Sequence, residues 1–597
     1  MREPLPWEVV ETFPSADPDL IAHWFGACGR AGSPAERVEA NVGAALSSYW
    51  AVQSGHEQDF EANLKRRREL VAAAWDAASE TGEPDLLATA ALGRLHALWG
   101  PDDAEGRREM LVVLGGLAPR LVDEDLRARA IEWRVLQCFD LGDLDGVRTG
   151  AAELEALGGT AADTLRCRRI ELWRANLAML EGDLDRAVAI NTGAISATAS
   201  TAGSPFSFQN AAITIAIERF LRRGLADVLD SVRSIRASSP RVAANWDVGL
   251  AFTLSECGEL DEAARLFAEM SRADFAGVPR DLNWLVTMHL LGLVAVHLED
   301  TAAMEVLLGM LGPHEHLDAT HGCGYASYGP VGRVVGSLAA HLGDPDRADK
   351  AFASVLASRE PGPWTALTLH DRAVARSGAD PDAAERLAEA AATECDRLGL
   401  SEWAEAARSV RARALEASAH RASVTVGPDG CVLRHPLGTA RVSGKGAQYL
   451  VRMLLEPGEP IAAAELDDPG GHGARVPRGS RLAVADDEAL AAYRRRLSEL
   501  RDRASELDTE ELAEVEFLRR TVAAARHMAS SAPEDERVRV RVTKAIRRCL
   551  DSVAEQSPRL GLHLREAVST GTSCMYAPAD GLRWEHITPG GNLPGAP

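Results

Sequence analysis

Three groups of residues have the side-chain types and spacing to suggest chemistry. The first is Ser443-Gly444-Lys445-Gly446, a Gly-Lys pair of the kind that can cradle phosphate. A phosphate-binding loop needs glycine, four residues, then Gly-Lys-Ser/Thr, so that backbone N–H groups curl round the phosphate and a hydroxyl holds Mg²⁺. Here five residues separate Gly438 from Gly444, and position 446 is glycine where the hydroxyl should stand. The misfit argues against nucleotide binding, and the stretch reads as a turn leading from a strand into a helix. The second group is His314, His316, Asp318, His321 and Cys323 in "HEHLDATHGC". These are zinc-type ligands, but their spacing matches no standard site. With Gly312-Pro313 before it and Gly322 and Gly324 within and after it, the segment reads as a polar loop between helices. The third group is Arg537, Arg541, Lys544 and Arg548, at i, i+4, i+7 and i+11, one face of a helix.

Other catalytic patterns are missing. The sequence contains no HExxH, GxSxG or GxGxxG, and "HDRAVA" at His370 lies in a helical pattern. The carboxylates fall on solvated faces of amphipathic helices. The expectation is a protein that is not an enzyme, with no catalytic residue, no metal and no cofactor.

The elements that would position the basic group come next. Between residues 50 and 400 a pattern recurs: an apolar helix end, a glycine, an acidic turn and a second helix, as in "LAMLEGDLDRAVAI", "LSECGELDEAARLF" and "LAAHLGDPDRADKAF". Glycine suits a left-handed helix C-cap and Asp the next N-cap. Such turns sit at Gly55, Gly100, Gly142, Gly182, Gly224, Gly258, Glu299, Gly343 and Gly378, spaced 34 to 45 residues apart. Glu299 departs from the glycine rule. A period near 40 over nine turns predicts stacked helical hairpins that resemble tetratricopeptide-type repeats. A superhelix of that kind offers a concave groove for a protein, peptide or small ligand.

After "RARALEASAHR" the period stops. "ASVTVGPDGCVLRHPLGTARVSG" reads as short antiparallel strands, "KGAQYLVRMLLEPGEP" as a helix ended by Pro457-Gly458, and "IAAAEL" as the start of another helix. The stretch "DDPGGHGARVPRGSRLAVAD" reads as a flexible loop, and residues 486–527 as a helical-hairpin insert. Within "ERVRVRVTKAIRRCLDSVAEQ" an apolar face forms from Val538, Val542, Ala545, Ile546, Cys549, Leu550 and Val553, with the basic stripe on another face. A stripe opposite a buried seam is what a recognition helix presents to phosphates and major-groove edges. "STGTSCMY", after one more helix, reads as a wing strand.

The strands, the helix ending in "PGEP" and the following helix resemble the front half of the winged-helix DNA-binding domains of bacterial response regulators and antibiotic-pathway activators. "YLVRMLLEPGEPI", "DDEALAAYRRRLSELR" and "RVTKAIRRCLDSVAEQSPRLGLHLREAVSTGTSCMYAP", with "YGPVGRVVGSLAAHLGDPDRADKAF" before them, resemble the C-terminal half of large bacterial tetratricopeptide-repeat transcriptional regulators of the signal-transduction ATPase type. The resemblance covers about residues 290–580, and no Walker sequence precedes it. The fold class expected is thus mainly all-α: a tetratricopeptide-like superhelix over residues 1–418, then a small α+β winged-helix-like domain over 419–597 with the insert and a flexible tail. What the resemblance implies is a regulator whose groove binds a partner and whose C-terminal domain contacts duplex DNA. A protein–protein scaffold without DNA binding, or a homodimer through the insert, remains open.

Charge bears on both. Residues 421–597 hold 25 basic and 25 acidic side chains, so the whole net charge of −23 lies in the first 420 residues. That long part repels nucleic acid, and the C-terminal part does not. No apolar signal core opens the chain, no stretch is long enough to span a bilayer, and the nine cysteines are scattered singly, so a reduced cytoplasmic protein is expected.

Overall fold

A computed structural model describes residues 18–53, 57, 59–157, 164–199, 205–238, 243–419, 422–427, 430–467, 493, 495–496, 518, 533–578 and 582–587. The chain is mainly helical, with a small sheet region near its C-terminus. It divides into two compact units at Ala414/Leu415. The insert expected over 486–527 lies outside the described residues, apart from a few single helical positions.

In the first unit consecutive helices pair across short turns, and the turn chemistry explains why. Gly142, Gly182, Gly258 and Gly343 take left-handed φ values of 69°, 91°, 79° and 79°. Asp143 and Asp344 then cap the next helices by accepting from Gly146 N at 2.9 Å and Arg347 N at 3.0 Å. Gly82, with φ 66°, makes a turn of the same kind that the spacing pattern does not include. Three expected turns differ. Arg223, not Gly224, carries the positive φ, at 56°. Gly378 has none. Gly100 is extended, and a Cβ on it would lie 2.6 Å from the Arg280 carbonyl oxygen, so this glycine serves a close approach of two chain segments.

Glu299 does the work of glycine at φ 54°, and Asp300 caps the following helix through Ala303 N at 3.0 Å. A side chain in this region costs on the order of 1–3 kcal/mol, and glycine's greater unfolded-state freedom returns part of that. Glu299→Gly is therefore expected to stabilise the first unit by about 0.5–1 kcal/mol. Denaturant unfolding checks it, and a destabilised variant would mean that Glu299 makes contacts worth more than its strain.

The segment read as a polar loop is instead a buried β-hairpin. Strand β1 (Asp318–His321) pairs antiparallel with β2 (Ala326–Pro330), with Thr320 opposite Ser327 and His321 opposite Ala326. Gly322 and Gly324 supply the turn at φ 57° and 77°. Side chains from distant helices satisfy its backbone: Trp173 Nε1 donates to Cys323 O at 2.7 Å, and Asn176 Nδ2 to Gly324 O at 2.9 Å. The hairpin packs on the helices Glu124–Leu141, Thr164–Glu181, Pro205–Leu221, Trp284–His297 and Val331–His341. Each of these is the first helix of its pair. The chain itself thus covers the face that these first helices turn to the hairpin.

In the second unit, β3 (Ala422–Gly427), β4 (Gly430–His435) and β5 (Gly438–Val442) form an antiparallel meander, as their β-branched residues and Gly turns predict. A fourth strand, β9 (Trp584–Ile587), runs parallel to β3. It lies where a flexible tail was expected. Its anchor is Trp584, 4% exposed, whose Nε1 donates to Tyr576 OH at 2.9 Å. Ile461–Ala462, read as a helix start, is a short strand, β6, and the helix Ala463–Asp467 follows it. β6 pairs with β8 (Ser573–Tyr576), which pairs with β7 (Val568–Ser569), giving the order β6-β8-β7. So the single strand expected in "STGTSCMY" is one arm of a hairpin. The helices Lys445–Leu455, Pro533–Gln556 and Pro558–Ala567 share one core with these sheets, built on Leu433, Leu450, Leu454, Ile546, Leu550 and Leu560.

Candidate nucleic-acid interface

The helix Pro533–Gln556 presents the two faces its sequence encodes. Val542, Ile546 and Val553 are fully buried, Cys549 and Leu550 nearly so, and the seam packs on the helices Lys445–Leu455, Ala463–Asp467 and Pro558–Ala567 and on β5. Arg537, Arg541, Lys544 and Arg548 are all exposed on the other side. An open hollow of about 510 Å³ is lined, among the described residues, by these four together with Glu536, Val540 and Ala545. The end of the helix is clasped to β5, since Gln556 accepts from Arg441 N at 2.9 Å and donates to Arg441 O at 2.8 Å.

The four cations are not equivalent. Arg541 pairs with Asp467 at the end of the short helix after β6. Asp467 also accepts a hydrogen bond from Tyr449 OH at 2.5 Å and lies 3.8 Å from Lys445 Nζ. The tyrosine hydroxyl, then the guanidinium, hold this carboxyl below its usual range. In turn, burial and the carboxylate push the Tyr449 phenol up to about 12. A phosphate would have to compete with Asp467 for Arg541, whereas no such carboxylate engages Arg537, Lys544 or Arg548 among the described residues. Sequence reading missed Asp467 and gave Lys445 no place at this surface. The contact spans 74 residues between Asp467 and Arg541, and no local pattern announces it.

Lys445 begins a helix and does not sit in a phosphate loop. Gly438–Val442 is extended in β5, Gly444 turns at φ 81°, and Lys445 is 71% exposed. Gly446 meets a packing requirement: a Cβ there would lie 2.2 Å from Ala545 O, where the helix crosses the stripe helix.

The five zinc-type residues do not converge. His314 meets the Trp284 ring edge-on at 5.4 Å, Asp318 pairs with Arg359 at 2.9 Å, and burial holds His321 down to about 4. Among the described residues no group of three or more His, Cys, Asp or Glu is placed to hold a metal ion, and no helix is long and apolar enough to cross a membrane. All nine cysteines are free thiols. No protein-family model matches the chain, and no curated protein matches it.

Proposed function

We propose that the chain is a non-enzymatic regulator whose C-terminal unit binds duplex DNA through Arg537, Arg541, Lys544 and Arg548. The observation that carries this reading is the exposure of all four cations on one helix whose opposite face is the buried seam of a folded unit. The order of elements supports it further. A sheet, a helix, a short strand, the short helix Ala463–Asp467, the stripe helix, the helix Pro558–Ala567 and a β-hairpin follow in an order compatible with a winged-helix plan. The helix pairs of the first unit fit a tetratricopeptide-like array, the sensing half of such a regulator. The excess acid of the first 420 residues opposes DNA only within about 8 Å at physiological salt, because screening removes the repulsion beyond that distance.

Phosphate contacts release counterions, so the affinity of the full chain for duplex DNA is expected to fall with salt at a log–log slope no steeper than about −4, from about −0.9 per contact. A gel-shift series across ionic strength measures this. If duplex DNA fails to bind even at low salt, the DNA reading is wrong and a protein–protein scaffold takes its place.

A further inference from the structure

Early and late segments of the first unit meet around a partly open cavity of about 60 Å³ with mixed apolar and polar walls. By the measure in which one water needs about 10–15 Å³, it has room for about four waters or for a ligand of a few heavy atoms. Its walls are held in place before any ligand arrives. Arg280 pairs with Asp102 through Nε and NH2 at 2.7–2.9 Å and lies over the Trp284 ring at 4.7 Å. Tyr49 OH donates to Trp99 O and accepts from Leu282 N, both at 3.1 Å.

Three polar groups line this cavity. Asp140, at the end of the helix Glu124–Leu141, has its carboxyl pushed up to about 7 by burial, against the pull of the Arg107 guanidinium. Arg107 lines the same cavity from the helix Ala104–Leu117, with its NH1 turned to the Gly100 carbonyl. Thr320, on β1, is 8% exposed, with its hydroxyl against the Asp140 carboxyl. The nearby Asp318 is already engaged by Arg359 at 2.9 Å. The cavity thus offers an acid, a guanidinium and a hydroxyl, with the Trp99 and Trp284 rings as apolar wall.

We propose that this cavity binds a small zwitterionic amino acid, its ammonium on Asp140 and Thr320 and its carboxylate on Arg107. A ligand carrying both signs satisfies both charged walls, whereas a simple cation would meet Arg107 and a simple anion would meet Asp140. Charge-assisted hydrogen bonds of this type contribute on the order of 1.5–3 kcal/mol, so loss of one partner should weaken binding about tenfold or more. Binding also ionises Asp140. At pH 6, below its raised value of about 7, the acid is mostly protonated and binding releases close to one proton; at pH 8 it is already ionised and release vanishes.

Calorimetric titration of the full chain with glycine and L-alanine tests this, with methylammonium and acetate as single-charge probes. One of the two amino acids should bind, with heats at pH 6 that depend on the buffer's ionisation enthalpy. Asp140→Asn and Arg107→Gln should each weaken that binding about tenfold. Because both change half-buried charges, circular dichroism checks folding, and Thr320→Val, which keeps shape, should still lower affinity about threefold or more through one lost hydrogen bond. Absence of binding by both amino acids, equally tight binding of methylammonium or acetate, or wild-type affinity in Thr320→Val and a folded charge variant would each overturn the assignment. The test does not depend on DNA binding.

Discussion

Gly446→Ala is expected to destabilise the second unit by about 1–2 kcal/mol net, although alanine is the better helix former by about 1 kcal/mol. The added Cβ would sit 2.2 Å from Ala545 O and 2.8 Å from Ala545 C, both backbone atoms of the crossing helix. No rotamer relieves a backbone clash, so the two helices must part, and the seam of Val542 and Ile546 loosens with them. Overpacking of this kind costs about 1–3 kcal/mol, occasionally more. Gly249→Ala supplies the contrast, because a Cβ at that helical glycine meets nothing within 4 Å, and it should be neutral or stabilising by up to about 1 kcal/mol. Amide exchange would localise the effect: faster exchange in Lys445–Leu455 and Pro533–Gln556 for Gly446→Ala, and none for the control. A stabilised Gly446→Ala would show that the crossing has slack and that propensity governs the position.

The largest effect is expected when Arg537, Lys544 and Arg548 are all replaced by alanine. Each exposed cation that meets a phosphate contributes about 0.9 to the salt slope, so the triple variant should flatten the slope by about 2.7 and weaken binding by roughly 100–500-fold near 0.1 M salt. Stability should change little, since all three side chains stand in solvent. Arg541→Ala alone should have the smallest effect of the four single replacements, because Asp467 already holds that guanidinium. An unchanged slope in a folded triple variant would remove the stripe from the interface even if DNA still bound.

How far the chain could be read from its residues follows the range of the forces involved. The helix pairs were legible because a left-handed glycine and a capping aspartate act within one turn, as at Gly142-Asp143 and Gly343-Asp344. The stripe and seam of Pro533–Gln556 were legible for the same reason, since a helical period is a local property. Short strands were harder. β1, β6 and β9 have four, two and four residues, too few for a period to outweigh polar or helix-forming composition. Each is held by distant partners: Trp173 and Asn176 for the β1–β2 turn, Cys574 opposite Ile461 in β6, and Tyr576 for Trp584.

The sequence by itself determined which segments are helical, where most turns fall, that the excess acid lies in the first 420 residues, and which cations share a helix face. Tertiary structure alone decided three further things. A histidine-rich segment became a buried hairpin covering the first-helix face, because distant side chains could satisfy its backbone. Gly446 became a crossing point rather than part of a phosphate loop, because its neighbour in space is Ala545, 99 residues further along the chain. And Arg541 became the one stripe residue held by Asp467, because ion pairs depend on distance in space and leave no trace in residue spacing.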